Sequence, residues 1–121
     1  MNLKKCPLSV LILGCVYIGV GAIGFAYHFT GFMARGAFPY DLVWAELIEV
    51  SAIVFGAFMI RGRNWARWGA IAWIAFHVVL SAFHAFGELA AHALFFAVIA
   101  WILFRPGARK YFQSTADESV A

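Results

Sequence analysis

LSVLILGCVYIGVGAIGFAYHF, residues 8–29, contains no Asp, Glu, Lys or Arg. A helix needs about 20 such residues to cross the roughly 30 Å hydrocarbon core of a bilayer, whereas the apolar region of a cleaved signal peptide is about 7–15 residues long. The run therefore reads as an uncleaved first transmembrane helix, even though Lys4 and Lys5 precede it and Ile12-Leu13-Gly14-Cys15 is similar to a lipoprotein cleavage box. Pro7 fits the first turn of that helix, where a missing N–H removes no hydrogen bond.

Three further apolar runs follow, over residues 42–60, 65–86 and 88–104. Residues 30–41 carry the breakers Gly31, Gly36 and Pro39 and read as a loop. Arg61-Gly62-Arg63-Asn64 reads as a tight turn, and Gly87-Glu88 as a shorter one. Counted from Leu89, the fourth run is brief before it meets Arg105-Pro106, so it must borrow length from Gly87 and Glu88 or thin the bilayer locally. Arg109-Lys110-Tyr111-Phe112 reads as interfacial, and the small, polar residues 113–121 as a disordered tail. The expected architecture is an all-α, integral membrane four-helix bundle over residues 1–112, with spans near 7–29, 42–60, 65–86 and 88–104.

Composition supports the same class. Of 121 residues, 64% are hydrophobic and only 12% charged, against about 25% charged in ordinary globular chains, which argues against a soluble monomer. Four spans of roughly 20 residues consume about 80 and leave about 40 for connections. The 13 Phe and 5 Trp suit lipid-facing surface and interfacial belts, with Trp65, Arg67 and Trp68 at one such interface.

The net charge of +3 is explained by topology, without nucleic acid as a partner. Lys4 and Lys5 precede the first run, Arg61, Arg63 and Arg67 lie between the second and third, and Arg105, Arg109 and Lys110 follow the fourth. Only Arg35 falls in the other set of connections, beside Asp41 and Glu88. The positive-inside bias therefore places both termini and the Arg-rich turn in the cytoplasm. Cys6 and Cys15 stand about 13 Å apart along one helix, too far for a disulfide, and read as small packing residues, with Cys6 a candidate for lipidation at the inner interface.

Titratable groups inside the spans carry what functional signal there is, because each costs about 2.5–3.5 kcal/mol at a helix centre and asks for a partner. Gly14, Tyr17, Gly21, Gly24 and His28 share one face of the first helix, a seam where a second helix can approach closely. Glu46 and Glu49 share a face of the second helix, about 6 and 10 Å below the outer boundary. His77, Ser81, His84 and Glu88 form a stripe on the third, and His92 follows Glu88 at i, i+4. Every helix thus sends a His or Glu into the outer half.

Three readings of that convergence stand side by side. In the first, the groups hydrogen-bond across a close-packed bundle and set its register. In the second, His28, Glu46, Glu49, His84, Glu88 and His92 are ligands of a metal, or paired histidines hold a haem, although no E-x-x-H, H-E-x-x-H or Cys-His spacing accompanies them. In the third, His77, His84 and Glu49 relay protons. Nothing titratable continues such a relay through the inner half. The first and third helices also both end in aromatic-His sequences, Tyr27-His28-Phe29 and Phe83-His84, a faint internal echo.

The segments YIGVGAIGFAYHF from Tyr17, WAELIEV from Trp44, RGRNWARW from Arg61 and AWIAFHVVLSAFH from Ala72 resemble small four-helix bacterial inner-membrane proteins of uncharacterised function. The resemblance implies a bacterial inner-membrane location and no particular activity. In size and helix count the chain is also similar to the DoxX-like group, some of which are linked to quinone or sulfur redox chemistry. No site residue is carried over from that group. No nucleophile constellation, phosphate loop or nucleotide fingerprint occurs in the sequence. The expectation is a non-enzymatic packing or accessory membrane component, with the bilayer and either further copies of itself or a larger membrane complex as partners. The alternative is a redox or metal- or haem-handling subunit using the outer His/Glu set. The sequence names no cofactor.

Overall fold

The computed structural model describes residues 6–35 and 40–120. Five helices follow in order, α1 (Leu8–Arg35), α2 (Tyr40–Ile60), α3 (Asn64–Ala82), α4 (Phe86–Phe104) and α5 (Pro106–Val120). The chain is all-helical over the described residues. Three of the helices are long and apolar enough to cross a membrane: α1 over Leu8–Met33, α2 over Val43–Ile60, and α4 over its full length. In α3 the polar Asn64, Arg67 and His77 dilute the apolar character.

Helix boundaries depart from the expected ones in three places. First, α1 runs through Thr30 and Gly31 to Arg35. One glycine costs a helix only about 1 kcal/mol and does not end it, and the Thr30 hydroxyl donates to the Tyr27 carbonyl at 3.0 Å, within the turn. Second, the α3–α4 reversal falls at residues 83–85, ahead of Gly87. The Phe83 and His84 amides donate to Leu80 and Ser81 at 3.1 Å, and Ala85 is extended at the N-cap. Gly87 and Glu88 therefore belong to the first turn of α4, where Glu88 complements the helix dipole, and α4 reaches 19 residues. Third, helix α5 continues to Val120, through residues expected to be disordered. Pro106 opens it, with its fixed φ suited to a first helical position.

The α2–α3 turn follows the expected residues. Gly62 has φ 79°, the left-handed region a Cβ disfavours. The Arg63 amide donates to Phe58 at 3.0 Å and the Gly62 amide to Met59 at 2.9 Å, which is the Schellman pattern of a helix C-terminus.

Glycines bring α1 and α2 together. A Cβ on Gly56 would lie 2.6 Å from the Gly14 carbonyl oxygen, and one on Gly21 would lie 2.5 Å from that of Glu49. The backbones themselves are in contact, as expected where dispersion between small residues drives helix association. Tyr17 then donates to the Ala70 carbonyl at 2.8 Å and Trp73 Nε1 to that of Ile48 at 2.9 Å, tying α3 to both.

The largest fully buried side chains gather at one end. Val10 near the start of α1, Met59 at the end of α2, Ala66 near the start of α3, Leu103 at the end of α4 and Phe112 of α5 all have no exposed surface. Tyr111 donates to the Ile60 carbonyl at the same end. Arg67 lies buried there, its Nη1 donating to Leu103 O at 3.4 Å and its guanidinium 4.8 Å from the Phe104 ring centroid and 5.2 Å from that of Phe112. Toward the opposite end, burial falls away, and α1 and α4 leave a cleft between them.

Candidate functional site

The His and Glu residues do not converge on one centre. Among the described residues, no three His, Cys, Asp or Glu side chains are grouped to hold a metal ion. They separate into two inter-helix sets and a third, exposed pair.

One set lies between α1 and α2. Glu49 packs its carboxyl group against Gly24, where a Cβ would overlap it. His28 is within electrostatic reach, but its Nδ1–H is donated to the Gly24 carbonyl at 2.9 Å. Glu49 Oε2 and both carboxylate oxygens of Glu46 are buried without a hydrogen-bond partner among the described residues. Glu46 also lines a shallow groove with Phe25, Phe29 and Phe32.

His84 and Glu88 are exposed at the α3–α4 end. His84 Nδ1–H is donated to Leu80 O at 2.8 Å. The break at residue 83 takes both off the stripe that an unbroken helix through 86 would have carried. Among the described residues, no hydrogen bond joins His77, His84 and Glu49 into a relay.

The remaining set joins α3 to α4. His77 and His92 face each other with ring centroids 5.9 Å apart. The Ser81 hydroxyl donates to the His77 carbonyl at 2.8 Å, so its oxygen is left to accept from His92 Nδ1–H at 2.6 Å. The same Nδ1–H points at the Glu88 carbonyl at 2.9 Å. His77 Nδ1 is 2.9 Å from the Trp73 carbonyl, and its ring lies 4.0 Å from that of Trp73. A carbonyl oxygen can only accept, so the proton of each neutral ring sits on Nδ1 and the Nε2 lone pair is the acceptor. No hydrogen bond within the described chain engages either Nε2.

These two rings line a cavity of about 330 Å³ between α1, α3 and α4, together with Tyr17, Trp73, Phe95 and aliphatic side chains. A cleft of this size, apolar except for a few convergent polar groups, has the general form of a small-molecule site. The glycine seam and the histidines were legible as positions in the sequence. The pairing of His77 with His92 was not, because it depends on where α3 stops and α4 folds back.

Comparison with protein-family models, curated proteins and solved structures finds no match to this chain.

Proposed function

We propose that the chain is a four-span protein of a bacterial inner membrane, with both termini in the cytoplasm. On this reading it serves as a non-enzymatic packing component that associates with copies of itself or with a larger membrane complex. The observation that carries the reading is α4: the helix is long and apolar enough to cross a membrane, yet only Ile99 and Leu103 along it are buried. Leu94, Phe95, Val98 and Trp101 are all exposed. An apolar surface of this extent needs lipid or another helix to cover it.

Charge supports the orientation. Arg61, Arg63 and Arg67 lie in the α2–α3 turn and the start of α3, and Arg105, Arg109 and Lys110 in the α4–α5 junction and the start of α5, which the Arg67–Leu103 and Tyr111–Ile60 hydrogen bonds hold at one end of the molecule. With α3 as a fourth span, that end is the cytoplasmic one. Reporter fusions after Arg63 and after Lys110 should then behave as cytoplasmic, and one at Gly36 as periplasmic. A periplasmic C-terminus would overturn the four-span count. The packing role is tested by native mass spectrometry of protein extracted in polymer-bounded lipid discs. Multimers, or a defined complex, are expected. A monomer at every protein-to-lipid ratio would refute it.

A further inference from the structure

The geometry points to the α1–α3–α4 cleft as a binding site for a lipid-soluble, ring-bearing alcohol or phenol, whose hydroxyl donates to Nε2 of His77 or His92. The inference rests on placement in a bilayer and not on self-association.

Four observations lead to this class of ligand. The cleft encloses about 330 Å³, which reaches the range of small-molecule pockets and greatly exceeds what a bare ion occupies. Its walls are apolar and its outer margin is formed by the exposed Val16, Val20, Phe95 and Val98 of α1 and α4, so entry is from the hydrocarbon. Tyr17, Trp73 and Phe95 supply ring faces, with Tyr17 and Trp73 already packed at 5.3 Å between centroids, and such surfaces favour a flat partner.

The fourth observation concerns polarity. His77 Nδ1–H is committed to the Trp73 carbonyl, and His92 Nδ1–H to the Ser81 hydroxyl oxygen and the Glu88 carbonyl, so in the neutral rings Nε2 offers a lone pair and no proton. An acceptor in hydrocarbon without a donor is costly, and the missing complement is a hydroxyl hydrogen. Two imidazoles alone do not complete the four-ligand shell of a structural zinc ion. The site therefore selects a donor-bearing organic molecule.

The test is calorimetric titration of protein-bearing lipid nanodiscs with 4-hexylphenol and with its O-methyl ether, protein-free nanodiscs being subtracted. The ether keeps the ring and chain and loses only the donor. Wild-type protein should bind the phenol about tenfold more tightly than the ether. His77→Asn and His92→Asn keep a side-chain amide donor near the i−4 carbonyl and delete Nε2. The double variant should bind both probes alike, with the ether affinity unchanged as the sign that the cleft is intact. Equal affinity of wild-type protein for phenol and ether, or no binding above the protein-free discs, overturns the proposal, as does a preference that survives in the double variant. The wild-type comparison decides the matter alone if a variant misfolds.

Discussion

Replacing Gly56 by Ala isolates the contact on which the α1–α2 pair depends. The new Cβ would stand 2.6 Å from the Gly14 carbonyl oxygen and 2.9 Å from the Tyr17 Cβ. Ordinary contact begins at 3.4 Å, so the two helices must move apart by about 0.8 Å, since neither a backbone oxygen nor a Cβ can rotate out of the way. Overpacking of this kind costs about 1–3 kcal/mol. Working against it, alanine is intrinsically better than glycine in a helix by about 1 kcal/mol. The net loss should be about 1 kcal/mol, and it should be accompanied by weakening of the Tyr17–Ala70 hydrogen bond, which the same displacement stretches. Gly19→Ala is the matched control, because nothing lies within 4 Å of a Cβ there. That variant keeps the propensity gain and should stabilise the protein by about 1 kcal/mol. Unfolding of both variants in one detergent, followed by helical circular dichroism during a denaturant titration, cancels the propensity contribution and leaves a packing difference of about 1–3 kcal/mol. If Gly56→Ala proves as stable as Gly19→Ala, the backbone contact is not what holds α1 to α2.

Glu46→Leu should raise stability by about 1–3 kcal/mol in the same titration, because it removes two buried carboxylate oxygens that have no hydrogen-bond partner among the described residues; a loss would show that the carboxylate is satisfied in the bilayer. Tyr111→Phe should cost about 1–2 kcal/mol by leaving the Ile60 carbonyl without its donor, and an unchanged midpoint would mean that α5 contributes nothing to holding α2. Burial pushes the Cys6 thiol up, so less of it is thiolate at neutral pH. Maleimide labelling of Cys6 in a Cys15→Ala background should be slow at pH 7 and still rising above about pH 8.5, where an ordinary thiol is half ionised; a rate at pH 7 equal to that of free cysteine would refute the burial.

Helix class was written locally in this chain. An apolar run such as residues 8–29 can satisfy its backbone only internally once it leaves water, so composition and length alone imply a helix and a membrane. Gly62 between Arg61 and Arg63 likewise set its own turn through the left-handed conformation it adopts. The face shared by Gly14, Gly21 and Gly24 followed from helical periodicity, and α2 packs on it. The grouping of polar residues did not follow. Periodicity counts residues along an unbroken helix, and α3 breaks at Phe83, where the backbone turns without a glycine or proline to announce it. That break removed His84 and Glu88 from the stripe and swung His92 back against Ser81 and His77. Glu46, Glu49 and His28 were drawn instead into the α1–α2 seam. Which titratable groups meet was thus decided by where two helices reverse and how closely glycine lets a third approach. Both depend on packing between residues far apart in sequence, and the spacing of residues within one helix carries no record of it.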